Sequence, residues 1–389
     1  MSRNAPLYLD YNATAPVRPE ARAAALAAID LGANASSVHG PGRRARAIIE
    51  TARETVAGLV RVQPERVVFT SGGTEGNALA ILGAARAGLF RSLHVFVLEH
   101  DSVLRTAADV AARTKIEFGH IGTSPSGAID LAELEKTLRG APKPALVSVM
   151  AANNETGVVQ PLDSVRAICT NAGALLHVDA VQIAGRLAFE AGAFDFVTLS
   201  AHKLGGLQGA GALVLGAGLE VAPLWGGGAQ ERRRRPGTEA VPAIAAFGAA
   251  ARAAAAEIGR AEEHGAWRDA LEARLADAYS DLHVFGREAP RLPQTSCLGV
   301  PGCAAETQVI ALDLEGIAVS AGAACSSGKV APSHVVSAMG YSEAAARSAI
   351  RVSFGWATQE AELDRFAEIW TRLLARSRNV QRERFAAGV

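Results

Sequence analysis

The strongest constraint on the fold is an alternation between short apolar segments and longer amphipathic ones. Six segments have the length and composition of β-strands, at residues 67–70, 95–99, 145–151, 175–179, 196–200 and 212–215. Between several of them lie segments with helical periodicity, at residues 76–86, 102–113 and 163–172. This alternation predicts an α/β fold with a mostly parallel sheet covered by helices. Ligands of such sheets bind near the carboxyl ends of the strands.

The pattern changes after Pro242. An alanine- and glutamate-rich segment predicts one long helix that ends near Tyr279. From Leu282 onward the chain predicts a smaller α/β unit, with strands at residues 296–300 and 317–320. A chain of 389 residues is long enough for two domains.

Charge and hydropathy argue against two classes of partner. The chain has 39 basic and 39 acidic residues, so its formal net charge is zero and we expect no general attraction to nucleic acid or anionic lipid. The basic run at residues 232–235 is read as a solvated turn. The apolar stretch 243–259 contains Arg252 and Glu257, and it is read as a buried helix rather than a membrane span. Residues 1–6 show no signal peptide, and we predict a cytoplasmic location.

The four cysteines do not suggest a metal site. They form no C-x-x-C pair, so neither structural zinc nor another bound metal is predicted. Cys169, Cys297 and Cys303 are read as buried, small apolar residues. Cys325 differs, because it lies in a run of small residues at 321–328 that predicts an exposed, mobile loop. Such a thiol could reach a substrate, with a nearby cation raising its thiolate fraction, but a simple small-residue turn is the alternative.

Residues 70–75 (TSGGTE) lie between a predicted strand and a predicted helix. Glycines let the backbone approach an anion closely, and a helix N-terminus supplies free N–H groups. Gly73 and Thr74 are therefore candidates for a phosphate cradle. An ordinary capped helix after a tight turn is the alternative.

Two charged residues follow successive strands. Asp179 ends one predicted strand and Lys203 follows the next, so the two side chains can lie beside one another. A lysine amine can form a Schiff base with an aldehyde, and a carboxylate at this edge could pair with a pyridine nitrogen. Ser200 and His202 could each donate to a phosphate. The alternatives are a solvated lysine and a capping aspartate.

Three further residues have the chemistry of a ligand site. His100 could stack on a flat ring and transfer protons near neutral pH. Asn154 could supply an amide to a ring oxygen. Arg351 could bind a carboxylate with its two-pronged guanidinium. A structural histidine, a plain turn and a surface ion pair are the respective alternatives.

The order and wording of these motifs resemble the cysteine desulfurases of the NifS and IscS type, within the class V aminotransferase superfamily. The similar segments cover almost the whole chain, at residues 8–14, 34–39, 71–75, 99–100, 153–160, 177–182, 200–203, 235–238 and 320–327. The resemblance implies the type I fold of the transferases that depend on pyridoxal 5′-phosphate (PLP). It implies a large PLP-binding domain at residues 15–255 and a small domain, formed by 1–14 and 256–389, that carries the cysteine loop.

The resemblance also implies how PLP is held. Lys203 would carry it as a Schiff base, His100 would stack on its ring, and Asp179 would pair with the ring nitrogen. Asn154 and Gln182 would contact the phenolic oxygen. The residues implied for the phosphate are Gly73, Thr74, Ser200, His202 and, from a partner subunit, Thr238.

The implied reaction is the removal of sulfur from L-cysteine. Asn34 and Arg351 would bind the substrate carboxylate, and Cys325 would take the sulfur as a persulfide while L-alanine leaves. The implied partners are a second subunit, in a homodimer with shared active sites, and a sulfur acceptor or iron–sulfur scaffold protein. Two alternatives stay open: another class V reaction, such as transamination or selenocysteine lysis, and a sulfur carrier or scaffold without turnover.

Overall fold

The chain alternates strands and helices, as expected, in a computed structural model that describes residues 6–322 and 332–386, with side chains to residue 376. The described strands are β1 (Leu7–Tyr8), β2 (Val67–Thr70), β3 (Ser92–Phe96), β4 (Glu117–Ile121), β5 (Ala145–Met150), β6 (Leu175–Asp179), β7 (Phe196–Ser200), β8 (Gly211–Leu215), β9 (His283–Val284), β10 (Thr295–Gly299), β11 (Ile317–Ala318), β12 (Ser320–Ala321) and β13 (Ile350–Ser353). The described α-helices are α1 (Pro19–Leu31), α2 (Gly40–Leu59), α3 (Gly73–Ala78), α4 (Ala84–Arg86), α5 (Asp101–Arg113), α6 (Leu131–Gly140), α7 (Leu162–Ala172), α8 (Val241–Glu257), α9 (Ala261–Ala278), α10 (Ala305–Leu314), α11 (His334–Ala338), α12 (Glu343–Ser348) and α13 (Glu360–Ala386).

Seven of the described strands form the central sheet, in the order β2-β8-β7-β6-β5-β3-β4. The five strands from β7 to β4 in that order are parallel to one another, and β8 is antiparallel to both of its neighbours. Strands such as β5 are buried along their whole length, which is typical of parallel sheets with both faces covered. The predicted α/β fold with a mostly parallel sheet is confirmed.

Helices cover both faces of this sheet. Successive residues of β2 belong to different cores, because Phe69 packs in the cluster under α1, α2 and α8 while Val68 packs with residues of the helices on the other face. This is the two-residue alternation of a strand. The sheet is thereby fixed between two apolar layers, and its carboxyl-terminal edge is held rigidly.

One stretch, Val241–Ala278, is long and apolar enough to cross a membrane by length and composition alone. Half of its most apolar window is buried inside the protein, and α8 packs against α1 and α2. The stretch also bends at a 3-10 turn, Ile258–Arg260, that separates α8 from α9. Helix α8 is a core helix, and the prediction of a buried helix at residues 243–259 is confirmed.

The second sheet lies in the C-terminal part of the chain, in the order β12-β13-β10-β9 among the described strands. Its core includes Trp370 and Phe366 from α13. Strand β1 pairs in parallel with β11, so the N-terminal segment joins these C-terminal elements. The division into domains at residues 15–255 and at 1–14 with 256–389 stays a prediction.

Several predicted boundaries differ from the structure, and the strand predicted at 317–320 is two strands, β11 and β12, that belong to different sheets. Strand β3 spans Ser92–Phe96 rather than 95–99, because the backbone turns at its end, where the Glu99 N–H donates to the Phe96 carbonyl at 3.1 Å. The single helix predicted to run to Tyr279 is interrupted at Ile258–Arg260. Glycine at 259 has low helix propensity, which favours the break there.

Candidate active site

Strands β5, β6 and β7 are parallel neighbours whose carboxyl ends meet at one edge of the central sheet. Asp179 is the last residue of β6 and Ser200 is the last residue of β7. Lys203 follows in a short 3-10 turn, and Asn154 lies in the turn after β5. The structure therefore brings these four predicted residues together at the edge where α/β proteins bind ligands.

The Lys203 amine is largely buried and hydrogen-bonds to uncharged backbone oxygens. Its Nζ atom donates to the carbonyl oxygens of Asn12 at 2.6 Å and Ala13 at 2.8 Å. Burial, together with the guanidinium groups of Arg351 and Arg186, lowers the pKa of Lys203 to about 7. Near neutral pH a large share of this amine is therefore unprotonated, which is the form that attacks an aldehyde. The alternative of a solvated lysine is wrong.

This shifted pKa predicts how Lys203 reacts in the cofactor-free protein. We expect its acetylation rate to rise with pH around 7 and then level off, about three pH units before an ordinary lysine would. The measurement is acetylation across pH followed by peptide mass spectrometry, with the exposed Lys136 of α6 as internal reference. A Lys203 rate that still rises steeply above about pH 9 would contradict the assignment.

The lowered pKa of Lys203 also determines how the free energy of unfolding depends on pH. Between about pH 7 and the ordinary lysine value, the unfolded chain binds this proton and the folded chain does not. The contribution of Lys203 to the free energy of unfolding therefore rises with pH across that window, and it is at its lowest below pH 7.

Asn12 connects Lys203 to the surrounding side chains. It is 1% exposed, and its backbone oxygen accepts from both Lys203 and the Gln182 amide, the latter at 3.1 Å. Its own amide nitrogen donates to the backbone oxygen of Asn154 at 3.1 Å, and its Oδ1 accepts from Arg186 at 2.7 Å. A segment near the N-terminus thus organises residues from three strand ends.

Arg186 is a partly buried cation whose hydrogen-bond partners among the described residues are uncharged. It donates to Oδ1 of Asn12 and to Oε1 of Gln182, both at 2.7 Å. Burial and the charge of Arg351 lower the pKa of Arg186 to about 9. Arg186 therefore orients Gln182 and contributes positive potential that favours the neutral form of Lys203.

The Asp179 carboxylate is held in a fixed orientation. Its Oδ1 accepts from the Val181 N–H at 3.0 Å, and its Oδ2 accepts from the Asn77 amide at 2.8 Å. Asn77 also donates to Ser102 at 2.9 Å. His100 caps α5, with its Nδ1 accepting from the Ser102 N–H at 3.0 Å. His100 is exposed at the surface, and hydrogen bonds through Ser102 and Asn77 connect it to Asp179.

The segment around Gly73 leaves β2 and begins α3, which continues through a π-helical turn (Leu79–Gly83) into α4. Backbones approach closely here: a Cβ atom at Gly211 would lie 2.6 Å from the carbonyl carbon of Gly72. A Cβ atom on Gly73 would lie 3.6 Å from the Cβ of Ser200. The predicted phosphate cradle and Ser200 are therefore adjacent.

Ser200 and His202 differ in their surroundings. Ser200 is 3% exposed, and its hydroxyl has no hydrogen-bond partner in the described part of the chain. A buried hydroxyl without a partner is rare, so this one is available to a ligand. His202 shares a 3.0 Å hydrogen bond with Thr14, and burial, with the charge of Lys203, lowers the pKa of His202 to about 4.

Arg351 lies in β13 and points toward this edge. It is 5% exposed, donates to Asp10 Oδ1 at 2.6 Å and donates to the Asn154 oxygen at 3.0 Å. Its Nε atom is buried and has no hydrogen-bond partner within residues 6–322 and 332–376. The ion pair is thus buried, the alternative of a surface pair is wrong, and one N–H remains to bind a carboxylate.

Two predicted residues lie outside this cluster. Asn34 is exposed and its Oδ1 accepts from the neighbouring Ser36 N–H at 2.8 Å. Thr238 is also exposed. Cys325 falls outside the described residues. The prediction for the other cysteines is confirmed, since all three are buried.

The residues that the structure brings together fit PLP. Lys203 would offer a largely buried amine to the aldehyde, and Asp179 would offer a carboxylate to the ring nitrogen. Ser200 offers an unpartnered hydroxyl beside the cradle at Gly73, which suits a phosphate. An apolar ligand would leave these buried polar groups unsatisfied.

Sequence reasoning missed four residues of the site: Asp10, Asn12, Asn77 and Arg186. Asp10 and Asn12 lie in the segment 8–14, which resembles the family, so their position was a signal. Asn77 lies one helical turn after Thr74, on the same side of the helix. Arg186 carries no motif, and only its burial in the fold reveals it.

Comparison with known proteins agrees with this geometry. Residues 7–366 match the family described as aminotransferase class-V. A cysteine desulfurase from Cereibacter sphaeroides is 38% identical over 372 residues, covering 93% of this chain and 94% of that protein. A solved NifS-like protein from Rickettsia africae has a TM-score of 0.87 and 31% identity, covering 95% of this chain and 99% of that one. SspA in complex with cysteine has a TM-score of 0.77 and 28% identity, covering 90% and 98%. The chain therefore belongs to the class-V aminotransferase family of PLP-dependent enzymes and, within it, to the cysteine desulfurases of the NifS and IscS type.

Proposed function

We propose that this enzyme takes the sulfur atom from L-cysteine, giving L-alanine and a persulfide on Cys325. The observation that carries the proposal is a largely buried amine, Lys203, hydrogen-bonded into a network with Arg186 and lying near Asp179 and Arg351 at one sheet edge. PLP, when bound, supplies an electron sink that labilises the bonds at the α-carbon of an amino acid. Asp179 would keep the ring nitrogen of bound PLP protonated, and the hydrogen bonds from Asn77 and Val181 hold the Asp179 carboxylate in place.

Lys203 acts as the proton carrier. Its amine takes the proton from the substrate α-carbon and can return it, and a pKa of about 7 supports both directions near neutral pH. The carbonyl oxygens of Asn12 and Ala13 accept from the Nζ atom and hold it at the site edge. His100 would cover the ring face of bound PLP, and the Ser200 hydroxyl, which has no hydrogen-bond partner among the described residues, would donate to its phosphate.

Cys325 carries out the transfer of sulfur. Its thiolate attacks the sulfur atom of bound cysteine, so that an S–S bond forms while the C–S bond breaks. The electron pair of the broken bond goes to the substrate carbon, which takes up a proton on the way to alanine. The thiol is oxidised to a persulfide and the carbon is reduced by the same two electrons, so no outside oxidant is required.

Arg351 and Asn34 bind the substrate carboxylate. We expect Arg351→Lys to raise the KM for L-cysteine about 10–100-fold, because a lysine loses the planar fork and with it a charged hydrogen bond. The measurement is steady-state alanine formation, with cofactor absorbance checked in parallel. Arg347→Lys on α12, an exposed arginine paired with Glu343, is the matched control and should leave the KM unchanged. Equal KM values for wild type and Arg351→Lys would refute this role.

The remaining parts of the proposal concern assembly. Asn34 and Thr238 are exposed, so a second copy of the chain can reach both of them, which supports a site shared between two subunits. In that homodimer Thr238 binds the phosphate held mainly by the other subunit. The persulfide passes to an acceptor or scaffold protein for iron–sulfur cluster or thio-cofactor synthesis, in the cytoplasm.

Product analysis tests the proposed reaction. Purified enzyme with L-cysteine and a thiol reductant should form alanine and sulfide in equal amounts. Pyruvate with ammonia would instead indicate elimination, and a 2-oxo acid that retains sulfur would indicate transamination. Either of these as the main product would overturn the proposal.

A further inference from the structure

The turn at Gln230–Arg233 has an unusual backbone. Three consecutive residues with side chains, Glu231, Arg232 and Arg233, have φ angles of 45°, 57° and 68°. Such left-handed conformations are unfavourable for residues with a Cβ atom, and runs of them are rare. They persist only where surrounding contacts impose them, and they are concentrated at functional sites.

A buried ion pair imposes this conformation. Glu231 is 6% exposed and receives two hydrogen bonds from the Arg53 guanidinium, at 2.7 and 2.8 Å. The same two side chains bond to β2, a strand at the edge of the central sheet: Glu231 accepts from the Phe69 N–H and Arg53 donates to the Val67 oxygen, both at 2.8 Å. The pair therefore occupies the place of a neighbouring strand and satisfies the open edge of β2.

A second ion pair ties the following residues to the start of α3. Arg235 donates to Glu75 Oε1 at 2.8 Å, and its guanidinium lies over the Trp225 ring at 5.7 Å. Glu75 Oε2 in turn accepts from the Ser71 N–H at 2.7 Å. The segment 230–238 therefore forms hydrogen bonds on both sides of the phosphate cradle. It bonds to β2, which precedes the cradle, and to Glu75, which follows Thr74.

We propose that Arg53, Glu231, Arg235 and Glu75 form a phosphate clamp, a set of positioning residues that holds residues 70–74 in the geometry that binds the cofactor phosphate of the same subunit and presents Thr238 to the phosphate of the other subunit. The inference rests on the proposed function, which assigns the phosphate to this cradle. None of the four clamp residues is itself assigned a contact with the cofactor. They act by fixing the backbone on which the phosphate donors lie.

Glu231→Gln tests the clamp, because it removes the charge while keeping the size of the side chain. In titrations of cofactor-free protein we expect about tenfold weaker binding of PLP and unchanged binding of pyridoxal, which lacks the phosphate. Adding Arg232→Gly and Arg233→Gly should restore most of the PLP affinity, because glycine adopts positive φ readily. Glu190→Gln is the matched control: Glu190 pairs with Arg61, which also has a positive φ, 55°, but precedes the amino end of β2.

The outcomes separate the clamp from a merely structural role. Equal weakening of PLP and pyridoxal, or unchanged PLP affinity, would overturn the clamp. If Glu231→Gln fails to fold, Arg235→Lys provides the same comparison, since it keeps the charge but loses the hydrogen-bond geometry to Glu75. If wild-type protein binds PLP no more tightly than pyridoxal, both the phosphate site and the clamp are overturned. If wild-type protein prefers PLP and Glu231→Gln keeps the same preference, the clamp alone is overturned.

Discussion

Lys203→Ala is expected to slow alanine formation from L-cysteine by about 10²–10⁴-fold. The substitution removes the amine that binds the cofactor covalently and transfers the α-proton. It also removes the Lys203 donor from the Ala13 carbonyl oxygen and one of the two donors from the Asn12 oxygen, which keeps its hydrogen bond from Gln182. The measurement is steady-state alanine production, accompanied by borohydride reduction and peptide mapping. Reduction should fix the cofactor to the Lys203 peptide in wild type and to no peptide in the variant.

The control for this variant is Lys136→Ala, which removes an exposed lysine of α6. It should leave the rate and the labelled peptide unchanged. A Lys203→Ala enzyme that turns over like wild type, or a wild-type enzyme whose cofactor is fixed to another lysine, would refute the proposed role.

Cys325→Ala is expected to lower the rate of sulfide release more than about a thousandfold, while the yellow cofactor stays bound. The Cys325 thiol is the only group to which the proposal assigns attack on sulfur. In the variant Lys203 keeps its hydrogen bond to Asn12, and Asp179 keeps its hydrogen bond from Asn77. The measurement combines sulfide release with the visible absorbance of the bound cofactor. A transaminase has no need of this cysteine, so the variant also separates the two reactions.

Cys169→Ala is the matched control. Its thiol is buried in the core, where burial and the nearby Asp195 raise the pKa of Cys169 to about 12. A thiol with that pKa is almost entirely un-ionised near neutral pH and is a poor nucleophile. Full sulfide release by Cys325→Ala, or loss of release by Cys169→Ala with the fold intact, would contradict the account.

Much of the fold could be predicted because burial imposes a regular spacing of apolar residues on the sequence. Apolar runs such as the one that forms β6 mark strands covered on both faces, and the intervening periodicity marks the helices. The ends of elements were less predictable. Residues 97–99 are apolar or buried like the strand before them, yet they turn away from it, since hydrogen-bond pairing rather than composition ends a strand.

The residues of the site also differ in how far the sequence predicts them. Lys203, Asp179 and Arg351 could be predicted because charged residues at strand ends are chemically distinctive. Asn12 lies in a segment that resembles the family, but its role could not be predicted, because it depends on contacts with residues such as Gln182, which is 170 positions away. The left-handed backbone at Glu231 was equally hidden, since the residue type favours the opposite conformation.

Mass spectrometry of the enzyme after brief treatment with L-cysteine, without reductant, tests the central claim most directly. The account predicts one added sulfur atom on the peptide that contains Cys325, formed together with one alanine per active site. Alanine formed without any sulfur on Cys325, or sulfur found only on another cysteine, would contradict it.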